Sequence, residues 1–194
     1  MRLGLVARAA IASAVLLAAS ACGGSDSKEP TSVAVHDESP SASPTPADTP
    51  PQVPTTARNT SAGRIAFATY FVKASNYAYA TNDATPITSV GSPASSYGCS
   101  MCTELKTFLD GQKAKGLHLE PADLPVKRAF ETARIRHNVW VVDIESSAPK
   151  RADVDASGHV VKSYPAKDPY LIEVGVAWEN GHYRLTGWKS GENK

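Results

Sequence analysis

Long apolar stretches, early aromatic residues, cysteine, and an excess of either charge are what this 194-residue sequence lacks. The longest apolar run, Ala9 to Ala21, falls short of the ~20 residues that a membrane-spanning helix needs. No Phe, Trp or Tyr occurs between Gly23 and Thr60, so that segment cannot bury enough apolar surface to offset the entropy of ordering it. A formal net charge of +1 gives no electrostatic footprint for nucleic acid. The five histidines (His36, His118, His137, His159 and His182) fall in no catalytic or metal-binding spacing. Three cysteines leave little material for a disulfide framework or a four-ligand zinc site.

What is present divides the chain into three. Met1 to Ala21 carries Arg2 and Arg8, then the apolar run, then small residues, which is the pattern of a secretory signal. Cys22 follows at once. "LLAASAC" resembles a bacterial lipobox, with Ala19 where Leu is commoner. The resemblance implies cleavage before Cys22, lipidation of its thiol and acylation of its new amino group. Several acyl chains anchor a protein stably where one does not. The expected location is therefore the outer face of the bacterial plasma membrane.

Residues 22–60 then read as a tether. Pro30, Pro40, Pro44, Pro46, Pro50, Pro51 and Pro54 stand among Ser and Thr and bias it toward extended polyproline II. Its charge is mildly acidic, Lys28 and Arg58 against Asp26, Glu29, Asp37, Glu38 and Asp48. Residues 61–194, with 16 basic and 14 acidic residues, form the globular domain.

That domain has a helical half and a strand half. Ser61 caps an expected helix from Ala62 to Thr81, whose stripes Ile65, Ala68, Val72, Tyr79 and Phe67, Tyr70, Phe71, Ala74, Tyr77, Ala78 form one broad face. Asp83 caps a short second helix with Pro86 in its first turn. A third is expected from Cys99 to Lys115, with Met101, Leu105, Phe108 and Leu109 buried and Gly116 as its stop. Beyond it, "NVWVVDIE" and "DPYLIEVGVAW" alternate with period two. Asn180-Gly181 is a strong hairpin signal. It predicts pairs Glu179–His182, Trp178–Tyr183, Val176–Leu185 and Val174–Gly187. Further strands are expected at Lys127–Ile135 and His159–Tyr164, with a turn at Asp155.

Three N-terminal helices packed on a curved antiparallel sheet, with "AFATYFVKASNYAYATND", the Cys-x-x-Cys and the terminal "VAWENGHYRLTGW", resemble the nuclear transport factor 2-like superfamily. Within it the chain is similar to a family of uncharacterised actinobacterial lipoproteins. The resemblance implies an α+β cone in which a sheet wraps the long first helix. It also admits a homodimer through the open sheet face.

Cys99 and Cys102 are three apart in a domain read as exported, where thiols oxidise, so a disulfide is expected. A thiol–disulfide activity is the alternative, because a helix N-terminus would activate Cys99. A zinc site with His118 is a third reading. Tyr70, Phe71, Tyr77, Trp140, Trp178 and Tyr183 are candidates to line a pocket, or else to fill the core. Asp143 and Glu173, the candidate acids of a cone enzyme of the isomerase or dehydratase type, fall on the face opposite Trp140 and Trp178. Lys127, Arg128, Arg134 and Arg136 read as a solvated face. The functional expectation is a non-catalytic module of the cell envelope that binds a small apolar ligand or an envelope protein. No cofactor, metal or nucleic acid is expected.

Overall fold

The computed structural model describes residues 49–55, 58–93 and 97–191. The signal segment, Cys22 and most of the tether lie outside the described residues. Among the described residues the fold is α+β, with helices α1 (Ser61–Thr81), α2 (Thr85–Thr88) and α3 (Ser100–Ala114) preceding seven strands. These are β1 (His118–Glu120), β2 (Val126–Arg136), β3 (Val139–Ala148), β4 (Arg151–Val154), β5 (Val160–Tyr164), β6 (Lys167–Glu179) and β7 (His182–Gly191).

The strands make two antiparallel sheets rather than the single curved sheet expected. The large sheet has the order β2-β3-β6-β7, the small one β1-β4-β5. β1 and β4 have no counterpart in the sequence reading. Each is too short to show a period, and β4 alternates charged with small residues. The turn at Asp155 joins β4 to β5, with its Oδ1 accepting from the amides of Ser157 (2.8 Å) and His159 (3.0 Å).

Local chemistry explains most element ends. Thr60, not Ser61, caps α1, its hydroxyl accepting from Gly63 N at 3.1 Å. The two hydroxyl residues are adjacent, so pattern alone could not choose between them. Ala84 is the formal cap of α2, yet Asp83 Oδ1 still accepts from Thr85 N at 2.9 Å. The Thr85 hydroxyl first, and then that contact, hold the Asp83 carboxyl below its ordinary range.

α1 lies against β1, β2, β3 and β6. Phe67, Val72 and Ala74 from the helix, Ile87 from α2 and Leu109 from α3 meet Val142, Ile144, Val174, Val176 and Leu185 of the large sheet in one core. This is why the apolar face of α1 is broad: the helix is covered on several sides. Phe108, expected in the buried stripe of α3, is 48% exposed, because the helix turns Leu105 and Leu109 inward instead.

The hairpin forms with Asn180 at φ 51° and Gly181 at φ 79°, the left-handed pair that a two-residue turn requires. Glu179 pairs with His182, Trp178 with Tyr183 and Val176 with Leu185. Val174 pairs with Trp188, not with Gly187. The shift is a bulge: Thr186 is inserted opposite Gly175–Val176, its hydroxyl 2.3 Å from where a Cβ on residue 175 would lie. A turn fixes register only until the first bulge.

On the other face of this sheet Asp143 of β3 sits directly opposite Glu173 of β6. Asp143 Oδ1 is buried without a hydrogen bond. Burial first, and then the Glu173 charge, raise the Asp143 carboxyl above its ordinary value of 3.8. The folded state therefore holds a proton more tightly than the unfolded chain, and the ionised form is a destabilising charge at neutral pH. The destabilisation should fade as pH falls through the raised pKa and vanish below 3.8. Asp143→Asn should thus melt higher than wild type at pH 7 and match it near pH 3, as followed by circular dichroism.

Candidate functional site

A cavity of about 260 Å³ lies where α1, α3 and the two sheets meet. Helix α1 contributes Phe71, Val72, Ser75 and Tyr79, successive members of one helical face. Helix α3 contributes Phe108, Leu109 and Gln112. The large sheet supplies Tyr170, Ile172, Trp188 and Ser190, and the small sheet supplies Leu119, Arg151, Asp153 and Tyr164. Two aromatic contacts brace the wall: Phe71 with Trp188 at 4.9 Å between ring centres, and Tyr79 edge-on to Phe108 at 6.3 Å.

The polar groups of the cavity come mainly from β4 and β5. Residues 151 and 153 share a face of β4 by the period of two, and Arg151 pairs with Tyr164 across the ladder. The Tyr164 hydroxyl donates to Asp153 Oδ2 at 2.7 Å. Burial, followed by that bond and the Asp153 charge, pushes the Tyr164 phenol up to about 12. Tyr79 is likewise raised, by burial and then by Tyr170, against a smaller opposing effect of Arg151. These phenols keep their protons at neutral pH, and Asp153 already accepts from one of them. Arg151 Nε is buried and makes no hydrogen bond. The lining is therefore apolar and aromatic with a few convergent polar groups, which is the usual make-up of a small-molecule site.

Of the six aromatic candidates read from the sequence, Phe71 lines this cavity. Tyr70 is buried in the core and donates to Pro86 O at 2.6 Å. The Tyr77 hydroxyl reaches Asp83 Oδ2 at 3.4 Å. Trp140 lies under the Arg64 guanidinium, 4.1 Å from its carbon to the ring centre. Trp178 and Tyr183 pack edge to face at 4.7 Å. The Tyr183 hydroxyl accepts from Thr60 N at 3.0 Å and lies 3.1 Å from both Arg58 O and Thr60 O, so it fastens the end of the tether to the domain. Asp143 and Glu173 stay on the sheet face away from the core.

Sequence reading missed Arg151, Asp153, Tyr164 and Tyr170. The one signal available was the Arg-x-Asp alternation of "RADV", which looks the same on a solvated strand. Only the β4–β5 pairing brings Tyr164 over Asp153.

Cys99 and Cys102 form a disulfide, with Cα atoms 5.3 Å apart. It closes the turn entering α3, and both residues are buried, at 8% and 5% exposure. So short a loop removes little chain entropy, and replacing both cysteines by Ala should cost at most ~2 kcal/mol in urea unfolding. His118 pairs with Glu120 at 2.8 Å. Among the described residues no group of three or more His, Cys, Asp or Glu is placed to hold a metal ion.

Residues 39–116, which include α1, α2 and α3, match the model of a family of unknown function (DUF6318). No curated protein matches the chain. Among solved structures, the crystal structure of the intermembrane space region of chloroplast protein ARC6 is similar, with a TM-score of 0.51 and 12% identity. The likeness covers 69% of this chain and 97% of that one, and at this identity it concerns the fold alone.

Proposed function

We propose that this protein is a lipid-anchored ligand-binding module of the bacterial cell envelope, held by Cys22 on the outer face of the plasma membrane. Met1–Ala21 is its signal, residues 22–60 its tether, and the domain beyond a cone of the nuclear transport factor 2-like kind. In this reading it belongs with actinobacterial lipoproteins. The lipobox-like "LLAASAC" and the Pro/Ser/Thr-rich segment after it support the anchoring. The observation that carries the binding function is the 260 Å³ cavity, apolar and aromatic in its walls. Its protonated phenols and engaged carboxylate favour binding over catalysis. The burial of Cys99 and Cys102 favours a structural staple over thiol exchange, since reactive cysteines are partly exposed.

The test is calorimetric titration of the full chain with 1-octanol as an apolar probe. Saturable one-site binding is expected. Ser75→Leu should abolish it, because Ser75 is a small buried residue on the cavity wall and the longer side chain fills the space. Absence of saturable binding to the wild-type chain would overturn the reading.

A further inference from the structure

We propose that the cavity takes a small molecule with one carboxylate head and an apolar body, the head held by Arg151. The inference rests on the binding function above and specifies its ligand. It starts from hydrogen-bond supply. An arginine presents five N–H donors and no acceptor, and cannot lose its charge in a protein. Arg151 lines the cavity, its Nε is buried, and that nitrogen has no partner. A buried donor left unmade is costly, so such a group is usually paired.

The carboxylate on the same strand face, Asp153, is engaged by Tyr164 at 2.7 Å. The Tyr79 and Tyr170 hydroxyls, each able to donate or accept, also line the cavity. Asp153 keeps its charge and its second oxygen, but among the described residues no ion pair joins it to Arg151, and the group that the Arg151 Nε lacks is an acceptor. A carboxylate matches the planar guanidinium fork in shape and charge. One guanidinium fork seats one carboxylate, so the ligand carries a single acidic head.

Size and lining set the rest. A space of 260 Å³ equals the liquid share of roughly nine waters, at about 30 Å³ each. Phe71, Leu109, Ile172 and Trp188 supply apolar lining. A short aliphatic or aromatic acid fits this combination.

The experiment compares octanoate, 1-octanol and octylamine in calorimetric titrations of the full chain at pH 7. Octanoate should bind at least tenfold more tightly than 1-octanol, and octylamine most weakly. Arg151→Gln should erase the octanoate preference. Equal binding of octanoate and 1-octanol to wild type would overturn the head-group assignment while leaving the cavity a binding site. Tighter octylamine binding would overturn it too and give the polar role to Asp153. Failure of all three probes to bind would instead remove the binding function on which the inference rests. The wild-type comparison needs no variant, so poor folding of Arg151→Gln leaves the proposal open to refutation.

Discussion

Replacing Phe67 by Ala should lower the stability of the domain by about 3–5 kcal/mol, the usual cost of deleting a buried aromatic ring. Phe67 is 0% exposed and stands in the second turn of α1. Its ring lies 5.9 Å from Tyr70 and 5.7 Å from Tyr183, so it joins the helix to the C-terminal hairpin. Neither neighbour can swing freely into the space left behind. Tyr70 is tied to Pro86 O, and Tyr183 to the backbone around Thr60. The void should therefore collapse poorly, which places the cost toward the upper end. Domains of this size are stable by ~5–15 kcal/mol, so the loss is a large share of the total. Urea unfolding followed by tryptophan fluorescence measures it as a lower midpoint at unchanged slope. A loss under about 1 kcal/mol would mean that α1 does not pack on the hairpin as described.

The second large effect is expected at Arg64. It is a charged residue on the buried side of α1, 7% exposed. Its Nε donates to Glu131 Oε2 at 2.5 Å and its Nη2 to Glu131 Oε1 at 3.2 Å, a two-pronged pair between α1 and β2. Nη1 donates to Asn59 Oδ1 at 2.5 Å, just before the helix begins. The flat of the guanidinium covers Trp140. Removing Arg64 uncovers that ring and strands the Glu131 carboxylate. Breaking a fully buried pair costs ~3–5 kcal/mol. Glu131 keeps 23% of its side chain exposed and can regain some water, so about 2–3 kcal/mol is expected for Arg64→Leu. Much of that loss comes from the stranded charge rather than from the missing bond. Accordingly Arg64→Leu with Glu131→Gln should recover a good part of it. A double-mutant cycle showing no coupling would contradict the contact.

The sequence made the hairpin, its turn and most of its register readable, because an Asn-Gly turn and a period of two agree with each other. Residues far from the turn escaped for a physical reason. One extra residue, Thr186, moved Val174 from Gly187 to Trp188, and no local pattern announces a bulge. The long α1 helix was readable in extent, but not in partners. An aromatic-rich face says that a helix is buried without saying which ring meets a sheet and which meets a cavity. Tyr70 and Phe71 are neighbours in sequence, yet the first closes on Pro86 and the second faces the cavity. The cavity itself was the least legible part. Its polar groups sit on strands of four and five residues, and its walls combine positions as distant as Phe71, Leu109, Arg151 and Trp188. Composition and spacing act over a few residues, whereas this site is made by a second sheet folding back on the first.

The most direct test of the account is the mass of the protein, purified from cells that export it, measured under native and then under denaturing conditions. A binding module should arrive with its ligand in place. The predicted result is a native mass greater than the denatured mass by one small organic molecule, with that excess reduced in Ser75→Leu. Equal masses, or an excess that Ser75→Leu leaves unchanged, would contradict the claim that this cavity is the functional site.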